Sequence, residues 1–384
     1  LGAELLAFAV IGLLMIALVP VLGATFTLVL GAVVAAGMSA ASWWLYTGEG
    51  VLIDVAYPLL GSFLVYSLLV FTNYLREEGR REQVRSAFRH YLSPALVDQL
   101  AEEPDRLVLG GERREMTFLF TDVRGFTTIS EGLQDQPQKL TRLMNRLLTP
   151  LSAEILKTQG TIDKYMGDAI MAFWNAPIAD DDHALHACEA ALAMRAAPDD
   201  LNRQLAQEAE AGSEDAILLN VGIGINSGPC VVGNMGSEQR FDYSVLGDSV
   251  NLASRLEGQC KTYGSDITIG EATAEAVGDR MTTVELDVIR VKGKREPQRI
   301  FALLGPAALH QDPEVRRVIA TLHDVQTAYR GRYWDEVLRL LDRLSGCHLE
   351  LMKLEIYIQL YRARVAAFQA EPPPVGWDGV YTAE

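Results

Sequence analysis

Lysine, arginine and histidine are missing from the first 75 of the 384 residues, where only Glu4, Glu49 and Asp54 carry charge. All 34 Lys and Arg residues follow Leu75. Cysteine is scarce as well. Cys188, Cys230, Cys260 and Cys347 stand singly with no C-x-x-C pair, which excludes a disulfide framework and a Cys-rich zinc site and suits a reducing cytosol. Positive charge is in deficit overall, 34 Lys plus Arg against 50 Asp plus Glu, for a formal net charge of -16. A protein that coats nucleic acid needs a cationic surface to displace phosphate counterions. No nucleic-acid partner is therefore expected, and any nucleotide handled is a small one.

What fills the first 75 residues is apolar sequence, in stretches from Leu5 to about Leu22, Gly23 to Tyr46 and Val51 to Leu75. Each reaches the roughly 20 residues that a bilayer-spanning helix needs, and none has the polar face of a soluble helix. Three transmembrane helices are expected over residues 1–75. Trp43, Trp44 and Tyr46 close the second span as an interfacial belt does. Arg76, Arg80, Arg81, Arg85 and Arg89 follow the third span, whereas the Tyr46 to Asp54 turn carries only acid, so the positive-inside rule puts the large C-terminal part in the cytoplasm. The expectation is a multi-pass protein of the inner (plasma) membrane with Leu1 on the outer face. Because the chain starts with Leu rather than Met, an exported part is expected before it. A cleaved signal peptide fits poorly, for want of a cationic n-region.

The length allows two or three domains. From Arg76 to about Gly111, Val84, Ala87, Phe88, Tyr91 and Leu92 recur at helical spacing, a juxtamembrane linker over 76–111. Ser93-Pro94 offers an N-cap and a first-turn proline for a second short helix, Ala95 to Ala101. From Glu115 to Gly305 apolar strands alternate with helical periods, the pattern of a mixed α/β sheet, assigned to a domain over 112–306. Strands are read at Met116–Thr121, Thr161–Met166, Ala169–Phe173, Ile217–Asn226, Val231–Asn234, Phe241–Val245, Ile267–Ile269, Val284–Val291 and Ile300–Leu304. Helices are read at Gln138–Thr158, Asp182–Ala211 and Ser249–Tyr263. A C-terminal extension over 307–384 is helical from Pro313 to Ala370, with a hint of a tetratricopeptide-like helix pair, and ends in Pro372-Pro373-Pro374 and a polar tail.

Two carboxylates stand out. Asp122 follows the apolar strand M-T-F-L-F-T and precedes V-R-G-F-T-T, a turn whose backbone N–H groups, at Gly125 and Phe126, are placed to cradle a phosphate. Asp168, in K-Y-M-G-D-A-I-M-A-F-W, falls at a tight turn between two strands. Mg²⁺ bound with a nucleotide takes one or two carboxylates plus phosphate oxygens, and two acids at neighbouring strand ends meet that need. Each alone is equally a plain turn residue. In R-F-D-Y-S-V-L-G-D-S-V-N-L-A-S-R-L-E, Asn251 and Arg255 are four apart on one helical face. Such a pair can hold a ribose and neutralise phosphate charge, or Arg255 can simply pair with an acid. V-K-G-K at Val291 to Lys294 offers an ammonium for terminal phosphates. His183 and His186 in D-D-D-H-A-L-H read as a capped helix start rather than a metal site.

The strings FLFTDVRGFT, DKYMGDAIMAFW, YSVLGDSVNLASRLE and VKGK, in this order, resemble the class III nucleotidyl cyclases, and among them bacterial membrane-bound adenylate cyclases. The resembling stretch runs from about Arg113 to Gly305. The N-terminal part resembles the tail of cyclases in which an exported CHASE-type sensor precedes three transmembrane helices. The fold implied is ferredoxin-like, an antiparallel or mixed sheet flanked by helices.

The resemblance further implies that Asp122 and Asp168, with the backbone carbonyl of Val123, bind two divalent metal ions, Mg²⁺ or Mn²⁺. Lys164 would read adenine. The second base-reading position lies seven residues before Asn251, at Ser244, where many members have Asp and a bacterial subgroup has Thr. Guanylate cyclases usually carry Glu and Cys at these two positions, so Lys164 speaks against GTP. Asn251 would orient the ribose, Arg255 would stabilise the transition state, and Lys292 would hold the outer phosphates. The reaction implied is attack of the ribose 3′-oxygen of ATP on the α-phosphorus, in a homodimer with sites at the interface. A guanylate or relaxed-specificity cyclase, and a catalytically silent cyclase-like receptor module, are the alternatives.

Overall fold

The computed structural model describes residues 24–51, 54–88, 110–212, 217–237, 240–290, 296–374 and 376–382, together with 9, 10, 12–14 and 16. The chain divides into two units, Leu1–His90 with Val97–Pro104, and Tyr91–Leu96 with Asp105–Glu384.

In the first unit, α1 (Ala24–Glu49) and α2 (Ala56–Phe88) are apolar on all sides over most of their length. Their segments Phe26–Glu49 and Ala56–Arg76 are long and apolar enough to cross a membrane. Trp43, Trp44, Phe63 and Leu64 stand exposed, where a soluble helix would turn such side chains to a core. Hydroxyls on these helices are satisfied within them: Ser39, Ser67 and Thr72 donate to the carbonyls of Ala35, Phe63 and Leu68 at 2.8–2.9 Å. Apolar surroundings demand such internal pairing. Two of the three expected spans are thus described. The first lies largely outside the described residues, of which 9, 10, 12–14 and 16 are helical. The helical start of the expected linker proves to be a continuation of α2, which runs past Leu75 to Phe88 without a break. The expected short helix Ala95–Ala101 lies outside the described residues.

The second unit opens with β1 (Gly110–Val123), α3 (Phe126–Gly132), α4 (Pro137–Lys157), β2 (Thr161–Met166), β3 (Ala169–Trp174) and α5 (His183–Gly212). There follow β4 (Val221–Ser237), β5 (Arg240–Leu246), α6 (Asp248–Tyr263), β6 (Ile267–Gly270), α7 (Glu271–Val277), β7 (Met281–Arg290) and β8 (Gln298–Pro306). With β9 (Tyr381–Thr382) near the C-terminus, the described strands form one sheet in the order β2-β3-β1-β4-β6-β8-β7-β9, with β5 paired to β4. Most pairs are antiparallel; β4 with β6, and β7 with β9, are parallel. The segment β1-α4-β2-β3-α5-β4 has the split βαβ arrangement. Alternation along β1 sends its side chains to two cores. Leu119 and Val123 pack with Leu147 and Leu151 of α4 and Ala187 and Ala191 of α5, whereas Met116 and Phe118 pack with Val245 of β5 and Val250 of α6.

The helical C-terminal region consists of three helices: α8 (Pro313–Arg330), α9 (Trp334–Leu344) and α10 (Leu354–Ala370). Asp312 caps α8 through Glu314 N at 2.7 Å, and Pro313 fills its first turn. Val337, Leu340, Leu341 and Leu344 give α9 a buried stripe, each side chain contributing about 1.5–3 kcal/mol. These helices share a core with Leu252, Leu256 and Tyr263 of α6 and with β7 and β8. The polar tail is not loose: Trp377 joins that core, and Tyr381–Thr382 forms β9 along Ile289–Arg290 of β7.

One strand assignment is corrected. The expected strands Ile217–Asn226 and Val231–Asn234 merge into one, β4, which starts only at Val221 and runs through Gly228-Pro229 to Ser237. Residues 226–230 lie between the β6 pairing, which ends at Ile225, and the β5 pairing, which begins at Val231. In such an edge-like stretch proline is tolerated.

Candidate active site

The register Thr121↔Ile170 between β1 and β3 sets Asp122 beside the hairpin turn that carries Asp168. Gly167 makes that turn tight with φ +70°, a left-handed conformation that favours glycine. Val123 N donates to Asp168 Oδ2 at 3.3 Å. Asp122 opens to solvent on one side, yet desolvation by its surroundings, then the charge of Asp168, push its carboxyl above the usual range; Lys261 opposes them. Two carboxylates that repel each other fit a divalent cation, which relieves the repulsion. Among the described residues no group of three or more His, Cys, Asp or Glu forms a metal cage. A cation here would complete its shell with a backbone carbonyl, water or phosphate oxygens, as Mg²⁺ does.

A third acid comes close that sequence reasoning gave no role. Glu257, on α6, is pushed up to about 7 by burial and then by Asp122, with Arg124 and Lys261 opposing. Its signal lay in V-G-I-G-I of β4: a Cβ on Gly224 would stand 2.2 Å from Glu257 N, and one on Gly222 2.7 Å from Glu257 Oε1. Only glycine lets α6 lie this close to the sheet. Arg124 is fixed at the same end, Nη2 donating to Ser265 O at 2.7 Å.

Lys164 and Ser244, on β2 and β5, are brought together by a residue between them that was quoted in the motif but unassigned. Ser244 Oγ donates to Asp163 Oδ2 at 2.8 Å, and Lys164 Nζ lies 3.8 Å from the same oxygen. The Asp163 side chain is wholly buried, and its Oδ1 has no hydrogen-bond partner. Burial raises its carboxyl above the usual range, against the pull of Ser244 and Lys164. The Lys164 side chain is half exposed.

Asn251 and Arg255 lie on α6, Asn251 exposed and Arg255 half-buried. Arg255 Nη1 is buried without a hydrogen-bond partner, so the alternative of a routine pairing with an acid leaves that nitrogen unexplained. Gly125 takes φ +71° and leads into α3 at Phe126, which packs on the core. Lys292 lies outside the described residues. No hydrogen bond or ion pair among the described residues joins the Asp122–Asp168 pair to the Lys164–Ser244 group, or either of them to Asn251 and Arg255. His183 and His186 are accounted for internally, by Thr117 Oγ1 at 2.6 Å and Asp180 Oδ2 at 2.8 Å.

Residues 111–305, half of the chain, match the family model for the adenylate and guanylate cyclase catalytic domain. The chain belongs to this family. The cyclase is 36% identical over 193 residues to "Adenylate cyclase 1" of Rhizobium meliloti, a match covering 50% of this chain and 28% of that one. It is 37% identical over 191 residues to "Adenylate cyclase" of Anabaena cylindrica, covering 49% and 36%. The cyclase thus spans about a third of the length of these curated relatives. Among solved structures, the adenylyl cyclase CyaB from P. aeruginosa aligns with TM-score 0.45 at 36% identity, covering 51% of this chain and 96% of that one. The guanylyl cyclase Cya2 aligns with TM-score 0.46 at 37% identity, covering 52% and 95%.

Proposed function

We propose that this cyclase is a membrane-bound adenylate cyclase that converts ATP to 3′,5′-cyclic AMP and pyrophosphate in signal transduction. The observation that carries the reading is the meeting of Lys164 with Ser244, in a chain whose Asp122 and Asp168 also converge. An ammonium and a hydroxyl together match the N1 acceptor and the N6 amine of adenine. Asp122, Asp168 and the Val123 carbonyl would hold two divalent ions, Mg²⁺ or Mn²⁺, which when bound lower the pKa of the ribose 3′-hydroxyl and offset phosphate charge.

The rest is positioning and electrostatics by the chain's own residues. Asn251 holds the ribose so that O3′ lies in line with the α-phosphorus. The 3′-hydroxyl gives its proton to solvent, the O3′–P bond forms as the bond to the bridging oxygen breaks, and pyrophosphate leaves with the electron pair. Arg255, half-buried on α6, meets the charge that builds on the α-phosphate. Lys292 and the Gly125–Phe126 turn hold the outer phosphates.

A site shared between two copies accounts for three groups that one chain leaves unlinked. A twofold homodimer would bring the metal pair of one protomer to the Lys, Asn and Arg of its partner. The exposed apolar sides of α1 and α2 support a membrane setting, with the catalytic domain on the cytoplasmic side.

The test is cyclic nucleotide formation by the full chain in detergent with Mg²⁺ or Mn²⁺, offering ATP and GTP in parallel. Cyclic AMP from ATP, abolished in Asp168→Ala, is expected. Cyclic GMP in its place would overturn the base assignment. Asp122→Ala and Arg255→Ala proteins, each inactive alone, should regain activity when mixed; heterodimers without activity would refute the shared site.

A further inference from the structure

A serine hydroxyl both donates and accepts, so Ser244 by itself cannot tell the N6 amine of adenine from the O6 carbonyl of guanine. Its setting removes the ambiguity. The hydroxyl proton is committed to Asp163 Oδ2 at 2.8 Å, and an ionised carboxylate only accepts, leaving Ser244 Oγ with lone pairs alone to turn toward a base. Asp163 is held where a purely structural acid is costly, wholly buried with Oδ1 unpartnered and with Lys164 Nζ 3.8 Å away as its nearest cation. Buried polar groups left short of partners are uncommon and call for an explanation. Here one carboxylate meets both base-reading side chains and, among the described residues, no other hydrogen-bond or ion-pair partner.

We propose that Asp163 is the specificity-setting positioning residue of this cyclase: it fixes Ser244 as an acceptor and Lys164 as a donor, a pair that matches adenine and mismatches guanine. Adenine presents an acceptor at N1 and a donor at N6, so both contacts form. Guanine presents a donor at N1 against the ammonium and an acceptor at O6 against the Ser244 lone pairs, so both contacts repel. The inference rests on the proposed reading of Lys164 and Ser244 as the base-binding pair, and it accounts for how a serine serves where relatives of the resembling group have threonine or aspartate.

The experiment uses the full chain in detergent and measures two things for ATP and GTP: kcat/KM for cyclisation, and competition against a fluorescent nucleotide for binding. In Asp163→Asn the amide can donate to Ser244 Oγ, which frees the hydroxyl to donate to guanine O6. The ATP-to-GTP ratio should fall at least about tenfold, the scale of one hydrogen bond gained or lost, with GTP binding rising rather than ATP binding merely falling. Ser244→Ala should lower the ratio similarly, and the double variant should lower it no further, because the two residues act through one hydroxyl. Equal losses for both nucleotides in folded Asp163→Asn protein, or additive effects in the double variant, would overturn the proposal. Failure of the functional reading looks different. A wild-type chain that makes no cyclic AMP but binds ATP over GTP, with that preference erased in Asp163→Asn, keeps the inference and sinks the activity; a wild type that binds both nucleotides equally sinks the inference whatever its activity.

Discussion

Removing the Arg364 guanidinium should be the most damaging single charge deletion in the C-terminal helices, and its cost follows from what it leaves behind. Arg364 Nη1 lies 2.6 Å from Asp287 Oδ2 and Nη2 3.0 Å from Tyr263 Oη, with both partners of the ion pair almost fully buried. Tyr263 Oη donates to the same Asp287 oxygen at 2.6 Å, burial and then the Asp287 charge holding that phenol well above its usual range. The Tyr381 ring stacks 3.6 Å over the guanidinium. In Arg364→Met the stem is replaced but Asp287 becomes an uncompensated buried charge, which costs roughly 3–5 kcal/mol out of a typical ~5–15. For a unit of this size each kcal/mol moves Tm by about 2–4 °C, so the melting point should drop roughly 6–20 °C. The control sits on the same helix: Arg362 pairs with Asp342 at 2.5 Å, both exposed, and Arg362→Met should cost under about 1 kcal/mol. Thermal melts of the two detergent-solubilised proteins decide it. Equal shifts, or a shift under about 3 °C for Arg364→Met, would refute the argument that burial sets the value of this pair. Adding Asp287→Leu to Arg364→Met should recover more than half of the loss.

Gly224→Ala drives a Cβ into the backbone of α6 at Glu257; a loss of about 1–3 kcal/mol in denaturant titration is expected, with activity falling further because α6 carries Asn251 and Arg255. Glu257, pushed up to about 7 mainly by burial and by Asp122, holds its proton in the folded chain and releases it near pH 4.3 when unfolded. Its contribution is therefore present below about pH 4.3 and lost as pH rises through about 7, so in EDTA the stability of Glu257→Gln should fall less than wild type between pH 5 and 8; parallel curves would contradict this. Thr117→Val strands His183 Nδ1, which Thr117 Oγ1 meets at 2.6 Å, and leaves Ser227 Oγ with Thr273 Oγ1 alone; it should destabilise by about 1–3 kcal/mol with no change in nucleotide preference.

Local signals carried most of the fold. Thr161–Met166 is a strand from end to end, with its register to β3 shifted between Ile162 and Lys164, and the flanking Gly167-Asp168 turn follows from glycine's access to positive φ. Asp122 was legible for the same reason: an acid straight after an apolar strand needs no distant residue to be noticed. What escaped depends on distant partners. Asp163 reads as the acid beside Lys164 until β5, paired to the long β4, brings Ser244 across to it. Arg364 reads as one charge on a solvated helix face until Asp287, Tyr263 and Tyr381 close around it. The break expected between Asn226 and Val231 is absent because residues 226–230 stay paired to β1 while neither β6 nor β5 pairs with them, a place where Pro229 is tolerated.

The helix α6 ties these features into one mechanical element. Its Val250 and Ala253 pack into the core shared with β1 and β5, its Leu252 and Leu256 into the core shared with β7, β8 and the C-terminal helices, and its last residue, Tyr263, is bolted to Asp287 and Arg364. Asn251 and Arg255 thus ride on a helix that is gripped from two sides, while Glu257 on the same helix stands close enough to Asp122 to feel its charge. Under the proposed function, a rigid mount of this kind would give Asn251 and Arg255 the precision that an in-line displacement demands, where about 1 Å of misplacement costs about a hundredfold in rate. It also means that the C-terminal helices are not a passive appendage to the catalytic sheet: loosening Arg364 slackens the end of the helix that presents Arg255. A fall in kcat with little change in KM for Arg364→Met, measured below its melting transition, is the signature of that coupling, and unchanged kcat in protein with a lowered Tm would show that the two ends of α6 move independently.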